Sequence, residues 1–305
     1  MSNQIATVID DRLEQLVTLV TNSVTSPHSK RAYRRAITDF IQWMRDAQPD
    51  RFSKRVVQYY IQWLVDEGTP PSSINQRLTA IRRLAIELAD NAVITEQTAQ
   101  AIQRVTGIKQ SGNRIGNWLT KEQAAALISA PDRTDPKGLR DRALLAVMLG
   151  CGLRRGEVTR LDLSHLQQRE SRWVIVDLVG KRNKRRSVPM PSWAKAAIDQ
   201  WVDVAGIHDG AVFRPMRRGG NVQNGRMTEQ AIWNTVTLYA KQIGVDVSPH
   251  DLRRTFAKLA RKGGSELDQI QLSLGHDSVQ TTQRYVGDNQ KLHGAPCDML
   301  GIEVN

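Results

Sequence analysis

The chain has 305 residues and a mass of 34.3 kDa, room for two domains but not for four. Its 40% hydrophobic and 24% charged residues exclude both a disordered chain and a membrane bundle. Forty-three Lys and Arg against 31 Asp and Glu leave a net +12 and a pI near 10.0, which predicts an extended polyanionic partner, nucleic acid first. The excess is +4 over residues 1–115 and +8 over 116–305, so it belongs to folded domains and not to a basic tail. Two cysteines, Cys151 and Cys297, are too few for a disulfide framework or a four-cysteine zinc site and predict a reducing, cytosolic setting. Asp10, Asp11 and Glu14 argue against an export signal. The longest apolar run, Ala143–Leu153, is eleven residues, about half of the ~20 that span a bilayer.

Residues 1–105 read as amphipathic helices. Ile5, Val8, Leu13, Leu16 and Val20 form a first stripe, which fits a core-packing helix or a protomer contact. Tyr33, Ile37, Phe40 and Met44 form a second, and Val57, Ile61 and Leu64 a third. A further helix is predicted after Pro70 and Pro71 with Ser72 as its cap; its Ile74, Leu78, Ile81, Leu84 and Leu88 line leaves Arg77, Arg82 and Arg83 on a polar face. That face suits DNA, and equally a solvated surface.

Gly107, Gly112 and Gly116 in a polar, aperiodic stretch mark 106–117 as a linker. Beyond it, 118–285 reads as a second domain, opening with a Thr-capped helix at LTKEQAAALISA and a buried helix at Leu139–Leu149. The period then changes: Trp173–Val179, the turn GKRNK and the segment RRSVPM predict a β-hairpin within a helical domain. Helices are expected at Ser192–Val204, Met227–Ile243, His250–Lys262, Glu266–Leu274 and Ser278–Tyr285, with Gly263 and Gly264 closing one and Ser265 with Asp268 opening the next. The tail, 286–305, carries Leu292, Met299, Leu300, Ile302 and Val304, but Gly294, Pro296 and Gly301 argue against one continuous helix.

Four segments carry groups of chemical interest: GLRRGEV at 152–158, GKRNK at 180–184, HDLRR at 250–254 and LGHDSVQTTQRY at 274–285. Alone, an arginine after a buried helix or a lysine in a polar turn is ordinary. Together they supply what metal-free phosphodiester transfer requires: a nucleophile, donors for the non-bridging oxygens and an acid for the departing sugar oxygen. Two arginines give forked, permanently charged phosphate contacts. Tyr285 offers a phenolic oxygen whose proton, with a reference pKa of ~10, has to be taken by a base or displaced by nearby cations. Two histidines can hydrogen-bond or move a proton near neutrality.

These segments resemble those of the tyrosine recombinases, the phage integrase family. The matching positions are Arg154 with Glu157 in GLR-x-x-E, Lys181 in the hairpin turn, His250 and Arg253 in H-x-L-R, His276 in LGH, and Tyr285 nine residues further on. The resemblance is strong over 118–285 and looser over 26–105. It implies a mainly α fold with a small β-hairpin or sheet: an N-terminal helical core-binding, SAM-like domain (1–105), a linker (106–117), a catalytic domain (118–285) and a tail (286–305) that packs on its own or a neighbouring protomer.

The resemblance also implies roles. Tyr285 would attack the phosphate and form a 3′-phosphotyrosyl bond, Arg154 and Arg253 would hold the phosphate, and Lys181 would protonate the leaving 5′-oxygen. His250, as proton acceptor, and His276 would complete the pocket, and Glu157 would position Arg154. Neither metal, ATP nor cofactor is expected. The implied partners are double-stranded recombination sites, with a homotetramer on two sites joined through a Holliday junction, and no membrane or small-molecule substrate. The implied location is the prokaryotic cytoplasm, at the nucleoid. Arg182, Lys184, Arg185 and Arg186 are candidate DNA contacts beside the cleavage site, or a solvated surface. Cys151 and Arg182 depart from the family's usual threonine and glycine, and Cys151 reads as a buried apolar group.

Two other readings share part of this pattern. A type IB topoisomerase uses similar chemistry on one duplex, and a DNA-binding regulator would keep the fold without the reaction. The two-domain length and the spacing from LGH to Tyr285 favour recombination, and the presence of Tyr285 with both arginines favours catalysis. The N-terminal stripe and the tail favour a mobile-element integrase over a dimer-resolving enzyme.

Overall fold

Two large hydrophobic cores divide the chain into units spanning Met1–Arg114 and Ile115–Asn305. The computed structural model describes residues 15, 17–24, 26–49, 51–109, 117–180, 184–217 and 219–286, apart from the side chains of Pro27, His28 and Arg284. Of the first predicted stripe only Val20 lies among these residues, and it is buried with Val17 in the first core.

In the first unit, α1 (Pro27–Ala47), α2 (Lys54–Asp66), α3 (Pro71–Asp90) and α4 (Glu96–Gln103) pack with α3 in contact with the other three. Pro27 and Pro71 start their helices where no backbone donor is needed. Pro70, not the predicted Ser72, holds the cap position of α3, because its extended backbone leads directly into Pro71. Ser53 and Thr95 cap α2 and α4 through their hydroxyls. Phe40 and Tyr60 meet edge to face 4.9 Å apart, with Trp43, Phe52 and Trp63 around them.

The predicted linker begins as fixed structure. Asn75 accepts from Ile108 N and donates to Ile108 O, both at 2.9 Å. A β-carbon at Gly107 would meet Asn75 Oδ1 at 2.5 Å, so glycine lets this irregular segment lie close on α3. Residues 110–116 lie outside the described part.

The second unit is built around α6 (Pro136–Cys151), which runs from Ala143 to Met148 without exposed surface. It packs against α5 (Lys121–Ser129), α8 (Ser192–Val204), α9 (Glu229–Gln242) and α10 (Pro249–Lys262). Thr120 caps α5 in a reciprocal box with Gln123. The short α7 (Arg155–Thr159) follows α6, and α11 (Leu267–Leu274) and α12 (Val279–Val286) are the last described helices. Glu266, without a side-chain cap bond, holds the position predicted for Ser265 at the start of α11.

The sheet has three strands, not the predicted two: β1 (Leu166–Arg169), β2 (Arg172–Val179) and β3 (Arg185–Pro189), antiparallel in that order. The extra hairpin turns at Glu170 and Ser171, with φ of 49° and 60°. Those left-handed values match a tight hairpin turn, but glutamate and serine are not the residues that announce one. Between β2 and β3 the register shifts between Ile175 and Leu178, where Asp177 has a φ of 53°. The bulge turns the end of the hairpin toward α11, against which β3 packs.

Candidate active site

Gly152 ends α6 with a φ of +61°, where a side chain would also meet Phe256 at 2.7 Å. The chain reverses there and delivers Arg154 to the start of α7. Glu157, in the first turn of α7, reaches back: Oε2 accepts from Arg154 N at 2.8 Å and Oε1 from Arg154 Nη1 at 2.9 Å. The Arg154 Nη2 donates to Gly275 O at 3.2 Å. One loop and one carboxylate thus set the direction of a half-exposed guanidinium.

A second helix start supplies two more groups. Ser248 and Asp251 box the first turn of α10, with Ser248 N and Oγ donating to Asp251 Oδ2 at 2.9 and 2.6 Å. His250 and Arg253 follow from that frame. Arg253 is 1% exposed; Nη1 donates to Gly152 O at 2.7 Å, Nη2 donates to Leu274 O, and the buried Nε has no partner. Burial first and the Arg154 charge next bring its pKa down to about 9, which leaves it charged at neutral pH. Arg154 and Arg253 therefore both anchor on the consecutive carbonyls that end α11.

The loop after α11 carries His276, whose Nδ1 lies 3.0 Å from the hydroxyl of the buried Thr282. Tyr285, one helical turn further along α12, places its hydroxyl 2.8 Å from His250 Nε2. Both histidine rings meet the Tyr285 ring edge to face, at 5.3 Å for His250 and 4.7 Å for His276. The Arg254 guanidinium lies 5.5 Å from the centre of the same ring. Burial, followed by the charges of Arg254 and Arg253, holds His250 below its ordinary pKa. Burial, then Arg253, Arg154 and Arg186, pushes His276 down to about 3. Both rings are neutral at neutral pH, so His250 Nε2 can accept the tyrosine proton.

Five of the six residues singled out for catalysis are thus in one cluster: Arg154, His250, Arg253, His276 and Tyr285. Lys181 and Arg182 lie outside the described residues. The ends of their turn are described: Gly180 N donates to Lys184 O at 2.7 Å, and a β-carbon on Gly180 would lie 3.8 Å from Glu157 Oε1. The base of the hairpin turn therefore sits against the residue that orients Arg154.

The other candidate DNA contacts are spread differently. Arg77 pairs with Asp39 at 3.0 Å and donates to Tyr60 Oη at 3.0 Å, and Arg82 donates to Val105 O. Both guanidinium groups are engaged within their own domain, whereas Arg83 is exposed. Lys184 pairs with Asp277 at 2.6 Å, and Arg185 with Asp177 at 3.4 Å, both at the surface. Arg186 is turned inward onto Glu157, a placement that β-strand alternation with the buried Val188 encodes. Arg254 and Thr282 were not singled out; Arg254 sits one residue beyond a named arginine, but the Thr282 contact depends on a tertiary turn.

Among the described residues, no group of three or more His, Cys, Asp or Glu side chains is placed to share a metal ion. None of their helices is long and apolar enough to cross a membrane.

A family model described as phage integrase family matches residues 117–291, and one described as phage integrase, N-terminal SAM-like domain, matches 14–91. The chain belongs to the phage integrase family of tyrosine recombinases. Tyrosine recombinase XerD of Vibrio cholerae is 31% identical over 264 residues, covering 83% of each chain. Tyrosine recombinase XerC of Corynebacterium glutamicum is 28% identical over 299 residues, covering 95% of this chain and 90% of that protein. A lambda integrase dimer bound to a COC′ core site shares the fold, with a TM-score of 0.69 at 16% identity over 92% of this chain and 77% of that one. Membership in the phage integrase family brings its activity class, site-specific recombination by DNA strand transfer.

Proposed function

We propose that Tyr285 is the nucleophile of a site-specific recombinase that cuts and rejoins double-stranded DNA through a 3′-phosphotyrosyl intermediate. The observation that carries this reading is the 2.8 Å contact between the Tyr285 hydroxyl and a neutral His250, beside two anchored arginines. His250 takes the phenolic proton as the tyrosine oxygen bonds to phosphorus. Arg154 and Arg253 stabilise the charge on the non-bridging oxygens, and His276 adds a hydrogen bond there. The bond from phosphorus to the 5′-oxygen breaks, and Lys181 gives that oxygen its proton. The phosphodiester is replaced by a phosphotyrosyl ester, so a second 5′-hydroxyl reverses the step without ATP or metal. Two such exchanges pass through a Holliday junction.

In this reading residues 1–105 form the helical core-binding domain, 118–285 the catalytic domain, joined through 106–117, and 286–305 a tail that docks on a protomer. Arg83, Lys184 and Arg185 meet the backbone of the site, with Lys184 and Arg185 leaving surface ion pairs that are individually weak. The fold shared with an integrase bound at a core site supports a DNA partner, and the cytoplasm is the setting that goes with this reading. Four protomers act on two sites. For the setting we propose a mobile element, supported by the N-terminal stripe and the tail, which lie largely outside the described residues. Resolution of chromosome or plasmid dimers is the second reading, favoured by the XerC and XerD names of the relatives.

The test is recombination between two plasmid copies of a site selected by binding from the DNA flanking the gene, with EDTA present and ATP absent. Exchange of flanking markers supports the proposal. Relaxation of a single supercoiled plasmid without exchange would instead indicate a topoisomerase.

A further inference from the structure

Glu157 is 3% exposed, and its carboxylate accepts four hydrogen bonds, the capacity of its two oxygens. Two come from Arg154. The other two come from Arg186 as a fork, Nη1 to Oε1 at 2.8 Å and Nη2 to Oε2 at 2.9 Å. The third edge of the same guanidinium is also committed, with Nε donating to Ser273 O at 2.9 Å. Arg186, although part of the basic run beside the hairpin turn, points all three nitrogens at its own protein.

Its position ties three pieces of the site together. It arises from β3, grips the first turn of α7 through Glu157, and caps the carbonyl end of α11 through Ser273. Its side chain also fills the space over Gly275, where an added β-carbon would meet Arg186 Cδ at 2.9 Å. Gly275 supplies the carbonyl that holds Arg154, and His276 follows it. The glycine is therefore required both by its φ of +60° and by the arginine lying against it.

We infer that Arg186 is a positioning residue for strand transfer: its fork on Glu157 and its bond to Ser273 lock the β3 edge, Arg154 and the His276 loop into one reactive geometry, without contacting DNA. This rests on the reading of Arg154 and Tyr285 given above. A lysine at 186 keeps the charge but cannot make the fork, and a glutamine keeps neither.

The experiment uses the full chain with nicked suicide duplexes carrying the selected site. It compares Arg186→Gln and Arg186→Lys with the natural protein for duplex affinity, salt dependence and single-turnover cleavage. Both variants are expected to bind within about threefold of the natural protein with an unchanged salt slope, since no phosphate contact is lost. Cleavage should fall by ~100-fold in Arg186→Gln and by ~10-fold in Arg186→Lys. The rate-pH profile supplies a second readout. Glu157 faces Arg186 and Arg154, with Arg253 nearby; losing the fork should raise the carboxyl's pKa, so that a second fall in rate, on the acid side of the His250 limb, moves to higher pH in Arg186→Gln.

A salt slope reduced by one unit would overturn the inference by making Arg186 a phosphate contact. Cleavage by Arg186→Lys at the natural rate would overturn it by showing that charge suffices. If Arg186→Gln does not fold, Arg186→Lys alone decides through these same two readings. Failure of the natural protein to form any adduct would remove the catalytic reading itself, and this one with it.

Discussion

The Tyr285 hydroxyl stands 2.8 Å from His250 Nε2, and the two rings meet edge to face at 5.3 Å. A base this close that is already neutral needs no rearrangement before accepting the phenolic proton. The contact joins α10 to α12, so the proposed nucleophile is held by a residue from the helix that also carries Arg253.

Replacing His250 with Gln should slow single-turnover cleavage by ~10²- to 10⁴-fold, the range for a lost general base, while leaving DNA affinity nearly unchanged. The natural rate should also have a defined acid limb. Burial and the charges of Arg254 and Arg253 lower the His250 pKa from 6.5, so the ring stays a competent base at pH 6.5. Cleavage is expected to keep more than half of its pH 8 rate at pH 6.5 and to reach its half-point only below that. A rate that already halves between pH 8 and 7 would contradict the assignment.

Acid should destabilise the catalytic domain in two stages. His276 titrates at about 3 when folded against 6.5 in a free ring, so the unfolded chain binds its proton first. Its contribution is complete above pH ~6.5 and declines as the pH drops toward about 3. Burial acts to raise Glu157, but the hydrogen bond and charge of Arg186, with the amide and charge of Arg154, outweigh it and hold the carboxyl below 4.5. Its stabilisation is present above 4.5 and is lost as the pH falls through the lower folded value. Urea unfolding between pH 7.5 and 3.5 should show less slope in His276→Gln. Glu157→Gln should cost ~3 kcal/mol at pH 7.5, because it leaves two arginines without their shared carboxylate.

Cys151 should be inert in the native protein. It has no exposed surface, and burial pushes its thiol up to about 12. Iodoacetamide at pH 8, followed by peptide mapping, should leave Cys151 unlabelled until urea unfolds the domain. Labelling of native Cys151 at the rate of a free thiol would show that the end of α6 opens.

Gly138→Ala should destabilise the catalytic domain without touching the reactive cluster. An added β-carbon would lie 1.8 Å from Asp132 O, a main-chain atom that moves only with its loop. The expected cost is ~1–3 kcal/mol, read as a Tm lower by about 2–12 °C. Cleavage below the melting range should stay within about twofold.

The sequence was most informative where one residue type has one physical use. The apolar run from Ala143 had to be a buried helix, and α6 has no exposed residue from Ala143 to Met148. Arg154, His250, Arg253, His276 and Tyr285 stood in short segments whose spacing brings them together in the fold. The strand β1 was missed because Glu170 and Ser171 adopt left-handed backbone without the usual asparagine or glycine. Side-chain direction was the other limit. The basic line Arg77, Arg82 and Arg83 looks uniform in sequence, yet Asp39, Tyr60 and the Val105 carbonyl engage the first two from other segments. Arg186 differs from its basic neighbours for the same reason: its partner Glu157 lies 29 residues earlier in the chain.

Covalent trapping tests the central claim most directly. The protein is incubated with EDTA and nicked duplexes carrying its site, denatured, and any DNA-linked peptide is mapped. The account predicts a denaturation-resistant adduct on the 3′-phosphate at Tyr285, absent in Tyr285→Phe although that variant binds the same duplexes with the same salt dependence. An adduct at another residue, or tight binding by the natural protein with no adduct at all, would contradict it.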